Sequence, residues 1–570
     1  MDYKVLEPVK FYNTQGKKEH LENINNYFDQ LVQKSGINIE ENHETMSKRE
    51  KKTTELDKIS KDIKKFKSFR TLIIVGIITG GITTLFSLSQ FSESVGKGII
   101  MLLCSLLAIV GLIWLLLKKV NPVLKDNERL KKDCLVEISK LEAEGWNQMQ
   151  NLNDLFTNDD AINLVEKTLP DFSFDDKFTK EQEQLLVQKY DFCDLITDEC
   201  SMLDTLSGKY AGNPFLFGRR RIHKMGTQVY RGSLVISWTE RYVDSKGQLR
   251  TRTRTQTLHA SVTKPKPFYK TNTFLLFGNQ AAPNLSFSRT SNHIENLSEK
   301  RLERKIKKGE KEIQKIAKNN LKNGGNFQEM TNSEFDVLFG AIDRNNEVEF
   351  RLMYTPLGQR STTELLKDSQ NFGDDFDFFK ERRCNVIVSD HAQNWKMNIY
   401  ANDYKDFDFE AIKTKFINLN ETYFKSIFFD FAPFFCVPAY LEEPCASLEK
   451  IEDYSTNFTY YEHEVMVNSL DSMSLVHEDS ITEAILKTQT INSERDKDFI
   501  EVTAHSYTGI EQVDFIPVLG GDGHYHNVPV SWIEYIPISK TSQVAITHPD
   551  VSDENTSIYY HGMGAGIIKK

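Results

Sequence analysis

The chain has 570 residues, of which 39% are apolar and 27% are charged, and its formal net charge is -10. This composition excludes collagen-like and largely disordered proteins, and the length predicts two or three folded units. The acidic balance argues against nucleic acid as a partner, because binding to phosphates requires a basic surface. The seven cysteines include no C-x-x-C pair, which is typical of a reducing compartment.

Residues 1–70 are predicted to form an amphipathic helical segment. Leu21, Ile24 and Phe28 recur at helical spacing, as do Ile59 and Ile63 closer to the first apolar run. We expect this segment to precede the membrane on its cytoplasmic side.

Two adjacent runs without charged side chains, at 71–91 and 98–117, predict a transmembrane helical hairpin at 71–117. Each run has about 20 residues, the length that spans a bilayer. Lysine and arginine precede the first run and follow the second, so the positive-inside rule places both termini in the cytoplasm. Residues 92–97 are predicted to turn at the opposite face. We therefore expect a multi-pass protein of the inner or plasma membrane, with membrane lipids as partners.

Gly76 and Gly80 form a G-x-x-x-G pattern in the first run, which is typical of closely packed membrane helices. In the favoured interpretation they contact the second run of the same chain, since a tethered helix has the higher effective concentration. Contact with a second copy in a homo-oligomer is the alternative.

Residues 118–203 are predicted to form a helical stalk. Leu135, Ile138 and Leu141 lie on one side of a charged helix that follows the second run. This helix is expected to pair antiparallel with the helix before the membrane in a local bundle, and an intermolecular coiled coil is the alternative. Pro122 predicts a kink or break between membrane helix and stalk.

Residues 204–325 are predicted to form a β-rich subdomain with a basic helix. Runs rich in Thr, Val and aromatic residues at 230–243 and 248–262 flank a turn at 244–247 and predict an antiparallel hairpin. The basic helix, at 300–322, is expected either to lie on the anionic inner leaflet or to pack on the body with its charged side in solvent.

Three arginines alternate with threonines in the second strand of this hairpin. Because strand side chains alternate between two faces, Arg250, Arg252 and Arg254 are predicted to share one face. Such a row is a candidate site for lipid headgroups, nucleotide phosphates or an acidic partner. A solvated outer face with acids on the neighbouring strand is the alternative.

Residues 326–570 are predicted to form an α+β subdomain that ends in a β-meander. The expected strands are 335–339, 347–354, 384–389 and 395–400, with a short helix at 362–367 and a meander at 499–539 that turns at 520–523. The fold class is therefore α+β, with an N-terminal helical stalk, a two-helix transmembrane hairpin and a β-rich mixed cytoplasmic body.

Histidines near the turn of the meander are candidate metal ligands. His524 and His526 point to one side of a strand beside Asp522, and His505 precedes them on a strand that is predicted to be a neighbour. Turn-flanking polar residues without a metal are the alternative. The chain has no G-x-x-x-x-G-K-[ST] loop and no G-x-S-x-G motif, so no catalytic residue or cofactor is predicted and an enzyme is the less favoured class.

Three parts of the sequence carry a resemblance to a known family: 238–254, 339–347 (FGAIDRNNE) with 354–357 (YTPL), and 520–537. They resemble a family of uncharacterised bacterial two-pass membrane proteins with a cytoplasmic domain of unknown function. The resemblance covers about residues 210–538 and brings no catalytic residues with it. It implies a bacterial source.

The leading hypothesis is a membrane-anchored binding or scaffold protein that recognises a protein or lipid on the cytoplasmic side. The first alternative is a membrane-tethered, metal-dependent hydrolase that uses the histidine cluster. The second is a sensor or effector that oligomerises through its stalk and through the glycines of the first run.

Overall fold

The computed structural model of the protein describes residues 5–89, 95–192, 199–243, 245, 247–442, 458–470, 472–494, 497–547 and 565–567. The chain forms two compact units. The helical unit comprises Asn25–Phe156 and Ala401–Asn418, and the body comprises Met1–Ile24, Thr157–Tyr400 and Leu419–Lys570. The protein is therefore a mixture of helix and sheet, with an N-terminal helical region and a β-rich body, as predicted.

Helices occur in both units. In chain order they are α1 (Pro8–Phe11), α2 (Lys17–Ser35), α3 (Ile39–Ser89), α4 (Val95–Leu115), α5 (Asn121–Asn153), α6 (Asp160–Thr168), α7 (Lys180–Tyr190), α8 (Glu299–Lys322), α9 (Ser333–Phe339), α10 (Glu347–Met353), α11 (Pro356–Leu366), α12 (Ala401–Tyr404), α13 (Phe409–Phe435), α14 (Ala439–Glu442), α15 (Tyr460–Ser469) and α16 (Ser472–Leu475). Tyr12–Gly16 and Leu116–Val120 are π-helical turns, and Ile294–Asn296 and His391–Gln393 are 3-10 turns.

The strands lie in the body. They are β1 (Phe172–Phe174), β2 (Cys200–Tyr210), β3 (Asn213–Val243), β4 (Leu249–Gly278), β5 (Ser286–Arg289), β6 (Phe376–Glu381), β7 (Cys384–Ser389), β8 (Ile485–Ser493), β9 (Lys497–Leu519), β10 (Tyr525–Thr547) and β11 (Ala565–Ile567). β1 and the start of β2 fall within 118–203, so this region is not the continuous helical stalk that the sequence predicted.

Two long helical stretches dominate the helical unit. α3 has 51 residues and is about 76 Å long at 1.5 Å per residue. Three ion pairs of 2.7–3.2 Å join α3 to α5: Arg49 with Glu142, Lys52 with Glu137, and Lys67 with Glu128. Because the residue number rises along α3 as it falls along α5, the two helices run antiparallel.

The chain stays helical on both sides of Pro122. α4 passes through the π-helical turn Leu116–Val120 directly into α5, and Pro122 lies in the first turn of α5. Proline lacks an N–H and its ring crowds the carbonyl of the preceding turn. A wider π-helical turn relieves this conflict without ending the helix. The predicted break at Pro122 is therefore replaced by a local widening.

Two helical stretches, within Ile39–Phe86 and Leu102–Asn153, are long and apolar enough to cross a membrane. Their large apolar side chains face outward, and Leu72, Leu85 and Leu107 are 69–72% exposed. An apolar surface of this extent is unusual in a water-soluble unit. Residues 92–94 of the predicted turn lie outside the described part of the chain.

The body is built on a seven-stranded antiparallel sheet with the strand order β1-β2-β3-β4-β7-β6-β5. β6 and β7 follow residue 326 whereas the other five strands precede it, so one sheet takes strands from both of the predicted subdomains. β8 to β11 form a second sheet with the order β11-β10-β9-β8, which contains the predicted meander.

Phenylalanine side chains join α13 to the first sheet. The ring centroid of Phe431 lies 5.1 Å from that of Phe215, 5.8 Å from Phe217 and 6.1 Å from Phe277. Phe215 and Phe217 share a face of β3 because strand side chains alternate. All four rings are at most 1% exposed, so they form the centre of the body's core.

Two segments that were predicted as strands are helices. Residues 335–339 belong to α9 and residues 347–354 largely to α10. Each helix begins with an asparagine, Asn332 or Asn346, whose side chain accepts a hydrogen bond from the backbone N–H three residues on. Gly340, with a φ of 76°, ends α9. Short apolar runs fit either element, and these capping residues were the signal that favoured helix.

The other predicted elements of this region have mixed outcomes. Residues 395–400 contain no strand, so that prediction was wrong. The predicted strand at 384–389 is β7, and the predicted helix at 300–322 lies within α8. The predicted helix at 362–367 overlaps α11 and ends one residue beyond it.

Candidate functional site

The two long hairpins extend beyond their sheets as two-stranded ribbons. β2 pairs with β3 only as far as Ile222, and β7 pairs with β4 only at 275–278. We call residues 223–243 and 249–269 the first ribbon, and residues 506–519 and 525–538 the second ribbon. At about 3.3 Å per residue, the first ribbon is about 70 Å long.

The two ribbons pack face to face, and together we call them the β arm. Ile236, Leu258 and Val528 form a buried cluster between them. At Gly232 the ribbons approach so closely that a Cβ atom would lie 2.0 Å from the carbonyl oxygen of Pro529. A residue with a side chain at Gly232 would therefore force the ribbons apart.

A polar contact also joins the ribbons. Lys264 Nζ lies 2.7 Å from Asp514 Oδ2 and 4.1 Å from the ring centroid of Trp532. The indole N–H of Trp532 donates to Asp514 at 3.0 Å. The hydrogen bond from Lys264 is the main cause that holds the pKa of Asp514 below its usual range. The ion pair and the buried apolar cluster therefore both hold the two ribbons together.

The three predicted arginines share a face at the far end of the first ribbon. Arg254 lies opposite Trp238, Arg252 opposite Glu240, and Arg250 opposite Tyr242. By the alternation of strand side chains, this is the same face that packs against the second ribbon closer to the sheet. The second ribbon reaches as far as its turn, where the N–H of Gly521 donates to Gln256 Oε1 at 2.7 Å. The arginines are thus the uncovered continuation of a buried face.

Glu240 holds two of the three guanidinium groups. Arg252 Nε and Arg254 Nε lie 2.8 Å and 2.6 Å from Glu240 Oε2. The hydrogen bond from Arg252 is the main cause of the lowered pKa of Glu240. The Arg252 guanidinium also lies 5.3 Å from the ring centroid of Tyr242. These two arginines and Glu240 are 41–48% exposed, so solvent or a partner can reach them.

We call Arg250, Arg252, Arg254, Glu240 and Tyr242 the arginine end of the β arm. Three positive charges and one negative charge leave two positive charges in excess. The arginine end has features of both interpretations of the arginine row. The arginines are exposed, as an anion site requires, and Glu240 of the neighbouring strand pairs with two of them.

The candidate metal ligands are brought together only in part. His526 Nε2 lies 2.9 Å from Asp522 Oδ2, and Asp522 Oδ1 accepts from the backbone N–H of His524 at 3.1 Å. His505 lies 13 residues before Val518, the strand partner of His526, a distance of about 43 Å along β9. Among the described residues, no three His, Cys, Asp or Glu side chains converge as a metal site. The four predicted ligands therefore do not meet.

Asp522 instead organises the turn of the second ribbon. The bond from the His524 N–H is the main cause of its lowered pKa, and His526 adds to it. The N–H of Gly523 donates to the carbonyl of Gly520 at 3.0 Å across the same turn. This arrangement matches the alternative in which polar residues flank a turn.

Gly76 and Gly80 face the second apolar helix, α4, of the same chain. A Cβ atom at Gly80 would lie 2.8 Å from Ile109 Cγ1, and one at Gly76 would lie 3.2 Å from Leu112 Cδ1. A Cβ atom at Gly81 would have nothing within 4 Å. The close approach that the two glycines permit is therefore used within the hairpin, as in the favoured interpretation of the pattern.

The basic helix α8 packs on α9 through its apolar side. Ile313 is buried, and a Cβ atom at Gly309 would lie 2.4 Å from Val337 Cγ1. Ser333 Oγ donates to Glu310 Oε1 at 2.8 Å and extends the same contact. At these positions, the apolar side of α8 packs against the body. Insertion into a membrane would require this same side.

Sequence reasoning did not identify Glu240. A four-residue turn at 244–247 pairs Val243 with Gln248 and places Glu240 opposite Thr251. The structure pairs Val243 with Leu249 instead, and this shift of one residue brings Glu240 opposite Arg252. The sequence did contain a signal for the correct register. Pairing opposite charges across the hairpin places Glu240 opposite an arginine.

Comparison of the chain with models of protein families, with curated proteins and with solved structures found no match. The resemblance to a bacterial family stays a prediction. Chemically, the arginine end offers guanidinium donors to an anion, beside the exposed ring of Tyr242.

Proposed function

We propose that the protein is anchored in a bacterial cell membrane by α3 and α4, with both termini in the cytoplasm, and that it binds an acidic protein through the arginine end of the β arm. The observation that carries the binding proposal is the pairing of Arg252 and Arg254 with one exposed carboxylate. We propose that a carboxylate of the partner makes the same contact with these two arginines.

The proposed anchor is supported by apolar side chains that face outward from the two long helices. Ile78, Leu103 and Trp114 are 55–57% exposed. Basic residues are concentrated before the first apolar run, at 61–70, and after the second, at 118–132. The positive-inside rule assigns both of these segments to the cytoplasm. Two crossings return the chain to the side on which it began.

The contact with Glu240 indicates which ligand fits the arginine end. One carboxylate oxygen accepts hydrogen bonds from Arg252 and Arg254 at 2.8 Å and 2.6 Å. A carboxylate of a partner can bind the same guanidinium groups, because arginine presents several donors in a planar fork. Arg250, next along the same face, adds a third guanidinium group.

A protein partner is favoured over a lipid surface by the aromatic side chain on the face of the arginines. Tyr242 lies on this face and is 39% exposed. Arginine and tyrosine are enriched at the centres of protein interfaces, where apolar neighbours exclude water. Recognition of anionic lipid by charge generally uses clusters of about four to eight basic residues. The arginine row is smaller and is partly neutralised by Glu240.

The proposal is tested with the full chain in lipid discs of zwitterionic phosphatidylcholine and a fluorescent poly-glutamate peptide as probe. We expect saturable binding that weakens as salt is added, because salt screens exposed charges. Replacing Arg250, Arg252 and Arg254 together by alanine should weaken binding about tenfold or more. Arg241→Ala is the matched control, since Arg241 lies on the opposite face of the same ribbon.

Equal binding by the triple variant and the parent would overturn the proposal. Vesicles that contain phosphatidylserine separate the two classes of partner. Binding to these vesicles that depends on the three arginines, without binding to the peptide, would assign the arginine end to lipid instead.

A further inference from the structure

Nine basic residues lie on one side of α8. Successive residues of an α-helix are rotated by about 100°, so these nine side chains fall within an arc of about 120°. None of the four glutamates of α8 lies within this arc. The nine residues, which we call the basic stripe, are all exposed: Lys300, Arg301, Arg304, Lys307, Lys308, Lys311, Lys315, Lys318 and Lys322. The stripe is about 33 Å long at 1.5 Å per residue.

The opposite side of α8 is apolar and packs on the body. Ile313, at the centre of that side, is 4% exposed, and Gly309 lies against Val337 of α9. These contacts fix the rotation of the helix about its own axis. The basic stripe therefore faces solvent along its whole length.

Most positive charges of the basic stripe have no acidic neighbour. Among the ion pairs between described residues, Lys308 is the one member that has an acidic partner, Glu312 at 3.6 Å. Elsewhere the same chain pairs its helical cations, since Arg49 and Lys52 of α3 each contact a glutamate of α5. Like charges three or four residues apart on a helix repel each other. A bound anionic surface would relieve this repulsion.

The composition and shape of the basic stripe favour an extended anionic surface over a single small anion. Seven of its nine residues are lysines, which act as flexible point charges and not as planar forks for one carboxylate or phosphate. A helix presents these charges on a convex surface. Clusters of about four to eight Lys or Arg on such a helix typically recognise anionic lipid.

We propose that the basic stripe docks the body on the anionic headgroups of the cytoplasmic leaflet. The contact is electrostatic, so the apolar side of α8 stays packed on α9 and does not enter the membrane. This inference rests on the proposed anchor, which places α8 on the cytoplasmic side, where the leaflet is negatively charged. The anchor also raises the effective concentration of the stripe at the same membrane.

The test uses the full chain in lipid discs, with a fluorescent amino acid in place of Gln314. Gln314 is exposed and lies beside the basic stripe. The discs contain phosphatidylcholine with or without phosphatidylserine, and all carry the same amount of a lipid with a quencher on its headgroup. We expect stronger quenching with phosphatidylserine. High salt should remove the difference, because it screens exposed charges.

Replacing Lys307, Lys311 and Lys315 together by glutamine should remove the effect of phosphatidylserine. Each basic residue near an anionic surface contributes about fivefold to binding, so the loss of three should weaken docking about hundredfold. Glutamine has nearly the helix propensity of lysine, and the three positions are exposed, so α8 is retained. Arginine at the same three positions keeps the charge and should keep the quenching.

The matched control replaces Lys48, Lys51 and Lys58 by glutamine. These are exposed lysines of α3, so the control removes the same total charge away from α8. It should leave the quenching unchanged.

Equal quenching in the two kinds of disc, or quenching that persists in the α8 glutamine variant, would overturn the proposal. Loss of the phosphatidylserine effect in the triple alanine variant of the arginine end would also overturn it. Weaker binding of poly-glutamate by the α8 variant, without a phosphatidylserine effect in the parent, would assign the stripe to an acidic protein instead. Both leaflets of a disc contain the same lipids, so the result does not depend on the orientation of the anchor.

Discussion

Arg252 donates a hydrogen bond to Glu240 across the first ribbon, with 2.8 Å between Nε and Oε2. Arg254 donates to the same oxygen. In the absence of a partner, Glu240 therefore occupies the place that we assign to a partner's carboxylate. Glu240→Gln removes the competing charge, so we expect poly-glutamate peptide to bind about threefold more tightly to this variant.

The matched control for that change is Glu534→Gln, which neutralises an exposed acid of the second ribbon that bonds to Gln512 at 2.9 Å. It should leave peptide affinity almost unchanged at moderate salt, because its distance from the arginine end exceeds the screening length. Weaker peptide binding by Glu240→Gln would contradict the account.

A second prediction concerns the helical hairpin. In Gly80→Val, the new side chain meets Ile109, which lies 2.8 Å from the Cβ position. Overpacking of this kind costs about 1–3 kcal/mol, so we expect a lower midpoint of thermal unfolding in lipid discs. Gly81→Val is the control, since its Cβ position has no atom within 4 Å. Equal losses in both variants would mean that the glycines act through helix propensity and not through contact.

A third prediction concerns the buried Arg344. Its guanidinium lies 2.7 Å from both Asp336 and Glu347, and all three side chains are at most 9% exposed. Arg344→Met leaves two carboxylates buried without their cation, so we expect the body to lose about 3–5 kcal/mol of stability in urea unfolding. Arg351→Met is the control, because Arg351 is 38% exposed and lies 3.8 Å from Glu347. A loss no larger than that of the control would contradict the assigned role.

A fourth prediction concerns pH. His391 lies 2.7 Å from Asp375 and 3.4 Å from Asp430. Burial alone lowers the pKa of His391, but the two carboxylates outweigh it and the pKa is raised. Burial raises the pKa of Asp430 to about 6. Both groups hold more protons when folded, so their stabilisation is full at low pH and is lost as pH rises.

For His391, the loss begins near its unfolded pKa of about 6.5 and is complete above its folded pKa. Thermal unfolding measured across this range should show a falling midpoint. His391→Gln should flatten the slope, whereas His477→Gln, at an exposed histidine, should keep it. A midpoint that rises over this range in the parent protein would contradict the sign.

A fifth prediction concerns the membrane. With the native cysteines replaced, Ser92→Cys should react with a membrane-impermeant maleimide added outside intact cells, because 92 lies in the predicted outer turn. Ser245→Cys, in the turn of the first ribbon, should react only after the cells are opened. Reaction of both sites in intact cells would contradict cytoplasmic termini.

The sequence predicted the elements whose signal is local. Alternating Thr and Val located the first ribbon, and the uncharged runs located α4 and the second half of α3. The same local signals failed at α9 and α10, whose short apolar runs fit a strand as well as a helix. The arginine face was predicted because alternation along one strand is a local property, whereas the partner Glu240 depended on a register that the turn length decides.

The separation of His505 from His526 could not be predicted from local patterns. His505 lies on β9, which neighbours the strand of His526 as expected, but the length of β9 separates the two residues. Which residues meet on paired strands depends on strand length and register, and alternation along one strand gives neither.

The most direct test of the proposed function is photo-crosslinking in the cells that produce the protein. A photoreactive amino acid replaces Tyr242, which is 39% exposed on the face of the arginines, or Val229, which is 49% exposed near the base of the arm. We predict that position 242 forms adducts with an Asp- and Glu-rich segment of another protein. We also predict that these adducts disappear when Arg250, Arg252 and Arg254 are replaced by alanine and do not form from 229. Adducts with lipid alone, or protein adducts that persist without the arginines, would contradict the proposed function.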